Sequence, residues 1–160
     1  MRATGAELAK NVALLAPKNV TLIDDSIVTE RDKSFNLYTS DEDIGKHRSE
    51  VLSEKLQASC ELTKISCAQR GSLTEDFIKQ YDIFMVTDFF DRHTLEEWNL
   101  YCRRNRVGFV NANCIGTMLN IFVDFGSLKV FDRIYHGLDS SFYIENITNE
   151  AFGVVSVSKN

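Results

Sequence analysis

Short runs of β-branched and apolar residues alternate along this chain with longer segments whose apolar residues recur at helical spacing. The run Asn19–Ile23 (NVTLI) has the composition of a short buried strand. Segments 5–16 and 47–59 instead place their apolar side chains on one face of a helix. Because parallel strands need long crossover connections, usually helices, this alternation predicts an α/β fold with a mostly parallel sheet and helices on both faces.

The same apolar patterns assign helices and strands to the rest of the chain. We expect further strands at 62–65, 83–87 and 107–110, and further helices at 73–79 and 94–104. Pro17, the only proline, ends the first helix, because the residue before a proline is disfavoured in the helical region. From residue 119 onward the pattern is strand-like without helices, at 119–124, 128–131, 141–144 and 152–157. The sequence therefore predicts an α/β domain over 1–126 and an antiparallel β-rich extension over 127–160.

Composition excludes several classes of protein. The 160 residues carry a net charge of −5, and no clustered basic face is visible, so nucleic acid is not an expected partner. The longest apolar stretches, such as 12–16, are far shorter than the roughly 20 residues of a membrane span. Glu7 and Lys10 interrupt what would have to be the apolar segment of a signal peptide. We expect an intracellular protein that does not bind membranes.

The four cysteines form no C-x-x-C pair, which indicates free thiols that pack as small apolar residues. Cys114 is the one that we consider as a nucleophile, because it follows a predicted strand, although no histidine lies near it in sequence. His47, His93 and His136 are too scattered along the chain to indicate a metal site.

Gly5 and Asp24 have the spacing of a nucleotide-binding βαβ unit. In such units a glycine turn admits phosphate to the helix start, and an acid roughly 20 residues later accepts the ribose hydroxyls. Asp24 ends the strand that follows the helix of Gly5. The first four residues contain no glycine, however, and are too few for the preceding strand. The alternative is a helix start of the same shape without a phosphate site.

Asp88 and Asp91 follow a predicted parallel strand, at the edge where open α/β sheets bind ligands. Two carboxylates at that edge would suit Mg²⁺ together with substrate phosphates. The alternative is that both residues, with Arg92, are ordinary charges at a loop and a helix entry. The acidic run 41–43 before Gly45 is interpreted as a solvated surface.

Five motifs resemble those of the ubiquitin-activating enzymes, and they occur in the same order. Residues 5–11 (GAELAKN) are similar to the helix start G-x-E-[IL]-A-K-N, and residues 20–24 (VTLID) resemble the family's second strand. Residues 42–51 (EDIGKHRSEV) resemble D-I-G-K-x-R-x-E-V. Residues 73–77 (LTEDF) and 122–126 (FVDFG) are similar to L-T-E-D-F and F-x-D-F-G. The chain thus resembles the first, catalytically inactive half of that family's adenylation region.

This resemblance implies a Rossmann-like, ThiF-type domain over 1–126. Its partner would be an active adenylation domain, in the same polypeptide or another chain, which binds ATP and Mg²⁺ and adenylates ubiquitin or a ubiquitin-like protein. The chain itself would be non-catalytic, without a metal or cofactor of its own, and would work in the cytoplasm and nucleus. A degenerate nucleotide site would comprise Gly5, Asp24, Lys46 and Asp88. The family's thioester cysteine lies in a separate domain, and no cysteine here matches it.

The chain departs from the active halves of that family in three places. Residues 35–38 (FNLY) stand where active halves carry arginine followed by glutamine, and 88–92 (DFFDR) only faintly resembles D-N-x-D-A-R. The family's first strand, and an arginine from the same segment that reaches the partner's ATP, have no counterpart before Gly5. We therefore expect this chain to bind no nucleotide. We also expect an empty strand position between 19–23 and 83–87.

Two other functions stay open at this stage. One is the regulatory subunit of a two-chain activating enzyme for SUMO or another ubiquitin-like modifier. The β-rich segment 141–157 looks like the lead-in to the extra domain of single-chain enzymes, which favours the single-chain type. The other is a free-standing, small nucleotide-dependent enzyme that uses Asp24 and Asp88, with Cys114 or an acid performing the chemistry.

Overall fold

The computed structural model describes residues 2–127, 140–146 and 154–159. Contacts divide the chain into two compact units, Met1–Leu128 and Lys129–Asn160. The helices are α1 (Ala3–Leu14), α2 (Glu30–Lys33), α3 (Arg48–Ser59), α4 (Glu75–Ile78) and α5 (Arg92–Asn105), with 3-10 turns at Asp41–Asp43 and Arg70–Ser72. The strands are β1 (Asn19–Ile23), β2 (Lys64–Ala68), β3 (Ile83–Val86), β4 (Gly108–Ile115), β5 (Met118–Asp124), β6 (Ser140–Asn146) and β7 (Val154–Lys159).

The strands of the first unit form two sheets. Strands β1 and β2 pair in parallel, β3 pairs with β4 in parallel, and β5 returns antiparallel to β4 as the second arm of a hairpin. In the second unit β6 and β7 form an antiparallel pair. The predicted α/β, Rossmann-like class is confirmed. In the described residues no strand lies between β1 and β3.

Three elements start at residues other than those that the sequence predicts, and a nearby contact or cap explains each difference. Strand β2 starts at Lys64 rather than at residue 62, since Leu62 is exposed and Lys64 begins the pairing with β1. Helix α4 is shorter than the expected 73–79, because Thr74 caps its first turn through a hydrogen bond from Phe77 N–H. Helix α5 begins earlier than residue 94, because Asp91 is its N-cap. Capping side chains thus decide where both of these helices start.

The hairpin of β4 and β5 is longer than the sequence pattern indicates. The prediction ended the strand at 110, but β4 continues to Ile115 because β5 pairs with it from Phe109 to the turn. Cys114 therefore lies within a strand and not in a loop after it. The predicted strand at 128–131, residues 152 and 153, and His136 lie outside the described residues.

Each sheet of the first unit has its own apolar core. Helices α1 and α3 cover β1 with a cluster of Ala6, Ala9, Leu22, Leu52 and Leu56. Helix α5 covers β3 and β4 with a cluster that includes Ile78, Val86, Trp98, Cys102 and Phe109. Truncating a buried leucine in such a cluster typically costs about 2–5 kcal/mol. These cores position β1 and β3, whose carboxyl ends are followed by Asp24 and Asp88.

Candidate functional site

The loops that follow β1, β2 and β3 meet at one edge of the first unit. The backbone N–H of Arg70, after β2, donates to Asp25 Oδ1, after β1, at 2.9 Å. The guanidinium of Arg70 lies 4.4 Å from the ring centroid of Phe90, in the loop after β3. This is the edge at which open parallel sheets bind ligands. We call it the carboxyl edge.

Asp24 stands at the carboxyl edge, directly after β1, as predicted from the spacing. Its Oδ1 accepts a hydrogen bond from Ser26 N–H at 2.8 Å, which is the geometry of an Asx turn. Its carbonyl oxygen accepts from Ser49 Oγ at 3.0 Å and so joins the loop to α3. The half-buried Asp24 thus shapes the start of the loop.

Gly5 and Asp88 lie near each other because the start of α1 approaches the end of β3. Gly5 is buried in the first turn of that helix, and Arg2 is the helix N-cap. Arg2 Nη1 lies 3.9 Å from Asp88 Oδ1, and the same oxygen accepts from Phe89 N–H at 2.9 Å. Both partners of this ion pair are more than half exposed, so the pair contributes little to stability. The structure nevertheless brings the start of α1 to the end of β3.

Lys46 is held in a separate ion-pair network. Its Nζ donates to Asp43 Oδ1 at 3.3 Å. Asp43 Oδ2 accepts from Lys55 Nζ and from Ser40 Oγ, each at 2.6 Å. The Lys55 ammonium and the Ser40 hydroxyl lower the pKa of Asp43 well below its usual range. The ammonium of Lys46 is therefore engaged by a carboxylate of its own loop.

The sequence left two roles open for Asp91, a magnesium ligand and an ordinary charge at a helix entry. In the structure Asp91 caps the start of α5. Its Oδ1 accepts from Thr94 N–H at 3.0 Å, and its Oδ2 accepts from Thr94 Oγ at 2.6 Å. These bonds are those of an N-cap. Over residues 2–127, 140–146 and 154–159, no three His, Cys, Asp or Glu side chains are grouped to hold a metal ion.

Sequence reasoning missed a buried ion pair that closes the loop between β1 and α3. Arg48 Nη2 donates to Asp32 Oδ2 at 2.9 Å, and Asp32 is only 1% exposed. Burial raises the pKa of Asp32, but hydrogen bonds from Thr29 and Arg48 outweigh it, so the pKa is lowered overall. Thr29 and Asp32 have the Ser/Thr-x-x-acid spacing of a capping box, which predicts the start of α2 but not the pairing of Asp32 with Arg48.

Residues 35–38 occupy the position at which active halves of the family carry arginine followed by glutamine. Here they pack the loop after β1 against α1. Asn36 is buried, and Tyr38 packs on the cluster around Leu22. Tyr38 Oη donates to Glu7 Oε1 at 3.2 Å, and the Tyr38 carbonyl accepts from Lys55 Nζ at 2.6 Å. The segment therefore has a packing role here.

The hairpin of β4 and β5 exposes an unusual amount of apolar surface. Single exposed apolar side chains are common, but contiguous ones indicate an interaction surface. We call the side of the hairpin that carries exposed Leu119, Ile121 and Val123 the hairpin face; exposed Ile115, Met118 and Phe122 lie on its other side. On that other side a cavity of about 350 Å³ lies between α5 and the sheet, lined by residues that include Leu95, Asn99, Phe109 and Phe122.

Among the cysteines, Cys102 has a thiol whose pKa is shifted by its surroundings. Burial raises the pKa of the Cys102 thiol to about 12, which keeps it protonated. Cys60 is also buried, whereas Cys67 and Cys114 are exposed, and Cys67 donates to the carbonyl of Ser49 at 3.2 Å.

No helix in the described residues has the length and apolar character to cross a membrane.

Comparison with solved structures defines the class of domain. A crystal structure of E. coli MccB with succinimide matches with a TM-score of 0.68 and 17% identity, over 79% of this chain and 39% of that chain. A structure of E. coli MccB with ATP matches with a TM-score of 0.63 and 18% identity, over 77% and 39%. The fold is thus a Rossmann-like domain of the ThiF type.

Comparison with known sequences gives the family. No family model matches the chain. Ubiquitin-activating enzyme E1 2 of Arabidopsis thaliana is 31% identical over 159 residues, which is 98% of this chain and 14% of that protein. Ubiquitin-like modifier-activating enzyme 1 of Homo sapiens is 29% identical over 158 residues, which is 98% and 15%. The chain belongs with the ubiquitin-activating enzymes, as the five motifs predict, and it spans about 12–15% of the length of these relatives.

Proposed function

We propose that this chain acts as the non-catalytic adenylation half of a ubiquitin-activating enzyme. In this role it supports the ATP-dependent adenylation and thioester activation of ubiquitin, or of a ubiquitin-like protein, by an active partner domain. That partner binds the ATP and Mg²⁺, in the same polypeptide or in another chain, and the complex works in the cytoplasm and nucleus. The observation that carries the proposal is that Lys46, the cation of the degenerate nucleotide site, is paired with Asp43, while residues 35–38 pack against α1 and supply no arginine.

Cations near the carboxyl edge lie beside carboxylates. Binding a triphosphate requires positive side chains that are available to its oxygens. Lys46 is paired with Asp43, Arg2 lies next to Asp88, and Arg48 is held by the buried Asp32. A nucleotide would have to compete with these carboxylates, most strongly with the buried Asp32; the exposed pair of Arg2 and Asp88 opposes it little, and Arg70 at the carboxyl edge stacks on Phe90. The arrangement favours a supporting role over nucleotide chemistry within this chain.

The exposed apolar side chains of the hairpin face support the second part of the proposal, that a partner domain binds this chain. Stable interfaces within permanent complexes are larger and more apolar than transient ones. Exposed Leu119, Ile121 and Val123 lie on the same side of β5, which is an edge strand of its sheet. Covering these side chains removes apolar surface from water and also protects an edge that would otherwise invite aggregation.

The test uses the full chain together with an active adenylation half from a related ubiquitin-activating enzyme. Sedimentation measures association, and ATP–pyrophosphate exchange measures adenylation. We expect the double substitution Leu119→Asp and Ile121→Asp, on the hairpin face, to weaken association at least tenfold. Leu37→Asp is the matched control, since Leu37 is 92% exposed and lies outside the hairpin. The proposal fails if the parent chain stays a monomer beside the active half, or if both variants associate equally well.

A further inference from the structure

The cavity between α5 and the sheet has walls of aromatic side chains. Phe90, in the loop after β3, Phe109 on β4 and Phe122 on β5 line it from three different elements. The ring centroids of Phe109 and Phe122 are 6.2 Å apart, with 59° between the ring planes. The volume of about 350 Å³ is at the lower end of the range for small-molecule sites, roughly 300–1,000 Å³. The cavity therefore suits a ligand with a single aromatic ring.

Asn111 brings a carboxamide to this apolar cavity, although the residue is only 6% exposed. One of its two polar amide atoms is hydrogen-bonded to the Asn113 carboxamide at 3.0 Å. Over residues 2–127, 140–146 and 154–159 the Asn111 side chain makes no other hydrogen bond, so its second polar atom has no partner. Buried polar side chains in proteins are nearly always hydrogen-bonded. This atom is thus placed to bind a polar group that enters the cavity.

Asn99 adds a second carboxamide to the lining of the cavity. Its Nδ2 donates to Asp124 Oδ2 at 3.0 Å, which fixes the orientation of the amide. Its Oδ1 is buried and, within the described part of the chain, accepts no hydrogen bond. A buried acceptor without a donor is costly, because it has lost its hydrogen bonds to water. The two amides thus favour a ligand that carries an N–H group as well as an aromatic ring.

The charged residues at the mouth of the cavity neutralise each other. Arg92 Nε donates to Glu96 Oε1 at 2.6 Å, and both side chains are more than half exposed where the cavity opens to solvent. This pair leaves no counter-ion for a charged ligand, and an unpaired charge is costly to bury among phenylalanine rings. The ligand is therefore expected to be uncharged.

We propose that this cavity binds a small uncharged molecule in which a single aromatic ring carries a primary carboxamide. The ring packs beside Phe90, Phe109 and Phe122, since aromatic rings pair favourably at centroid distances of about 4.5–7 Å. The ligand's N–H donates to Asn99 Oδ1, and its remaining donor or acceptor pairs with the free amide atom of Asn111. A primary carboxamide offers both kinds of group. The cavity lies on the opposite side of the hairpin from the hairpin face, so it and the proposed partner interface use different side chains.

The test is an NMR titration of the nitrogen-15-labelled full chain with benzamide, which has the proposed chemistry in its smallest form. We expect the side-chain amide signals of Asn99 and Asn111 to shift saturably, with a dissociation constant of about 1–10 mM for a ligand this small. Acetophenone is the matched control ligand, because a methyl group replaces the NH2 and leaves only an acceptor. Benzoate is a second control, because it has the same shape and a negative charge. Both should bind at least fivefold more weakly than benzamide.

Substitutions locate the site. Leu95→Trp fills the cavity from α5 and should abolish the benzamide shifts. Leu100→Trp is its matched control, since Leu100 is 52% exposed on the same helix and does not line the cavity. Asn111→Leu keeps the side-chain volume and should make benzamide bind no better than acetophenone. Urea midpoints close to that of the parent show that each variant is folded. The comparison of ligands on the parent chain needs no substitution.

Three results would overturn the proposal. The first is the absence of saturable shifts at benzamide concentrations well above the expected dissociation constant. The second is equal binding of acetophenone, which would show an apolar groove that does not recognise the amide. The third is a set of shifts that persists in Leu95→Trp, which would place the ligand elsewhere on the chain. None of these measurements involves ATP or an active adenylation half, so failure here is distinct from failure of the proposed function.

Discussion

Asp32 and Arg48 form a buried ion pair across sixteen residues of sequence, with 2.9 Å between Asp32 Oδ2 and Arg48 Nη2. The carboxylate is 1% exposed and the guanidinium is 14% exposed. Asp32 belongs to α2 and Arg48 begins α3, so the pair closes the long loop that follows β1. The loop also carries Asp24 at its start, at the carboxyl edge, and Lys46 near its end.

Asp32→Asn should destabilise the chain by about 3–5 kcal/mol, because removing one member of a buried pair leaves the other charge uncompensated. The midpoint of urea unfolding measures the change. Asp76→Asn is the control, since Asp76 is 84% exposed and its ion pair with Lys79 should contribute little to stability. Equal midpoints for the two variants would contradict the assignment of Asp32 as a structural residue.

Stability should fall at acidic pH. The pKa of Asp43 is lowered by Lys55 and Ser40, and the pKa of Asp124 is lowered by Arg103 against an opposing effect of burial. The unfolded chain, with aspartate pKa values of about 3.9, then binds more protons than the folded chain in acid. The resulting stabilisation is present above about pH 4 and is lost as pH falls through the folded values. Urea midpoints at pH 7, 5 and 3 should decline mainly in the last step, and Asp43→Asn should flatten that decline.

The isolated chain should bind neither ATP nor NAD with useful affinity. The reason is that Lys46 is engaged by Asp43 and that residues 35–38 provide no arginine at the carboxyl edge. Titration calorimetry with ATP and Mg²⁺ is the measurement. A dissociation constant below about 10 μM, roughly −7 kcal/mol, would contradict the prediction and favour a free-standing nucleotide-dependent enzyme.

Cys114 should be dispensable for thioester formation. It lies exposed within β4, without a histidine contact among the described residues that would activate its thiol. Cys114→Ala should leave modifier activation by the assembled enzyme within a few-fold of the parent. The thioester band on a non-reducing gel is the readout, and its loss in the variant would make Cys114 the catalytic cysteine.

The sequence predicts the order of helices and strands well, because periodicity reports which face of each element is buried. The strand at β1 and the helix at α3 follow from local composition alone. The start of α5 at Arg92 was missed, since its N-cap, Asp91, is a single polar residue outside the apolar pattern. The pairing of Asp32 with Arg48 could not be predicted, because it joins residues that only the folded loop brings together. The candidate site is thus predictable in its position and not in its internal contacts.

A strand added at the expected empty position between β1 and β3 should stabilise the chain. The test protein carries a five-residue apolar strand and a glycine turn joined ahead of Arg2, whose contact with Asp88 places the start of α1 at the carboxyl edge. Each large apolar side chain that becomes buried contributes about 1.5–3 kcal/mol, so the expected gain in unfolding free energy is several kcal/mol. The slope of the urea transition should also rise, because more surface becomes exposed on unfolding.

A glycine–serine extension of the same length is the control for this last prediction. It adds chain without apolar surface and should leave both the midpoint and the slope of the parent unchanged. If the apolar extension also leaves both unchanged, the sheet has no open position between β1 and β3, and the strand order inferred here is wrong. A gain confined to the apolar extension would instead show that β1 and β3 flank a position that a strand can occupy, because only a chain that hydrogen-bonds and buries side chains there can stabilise the fold.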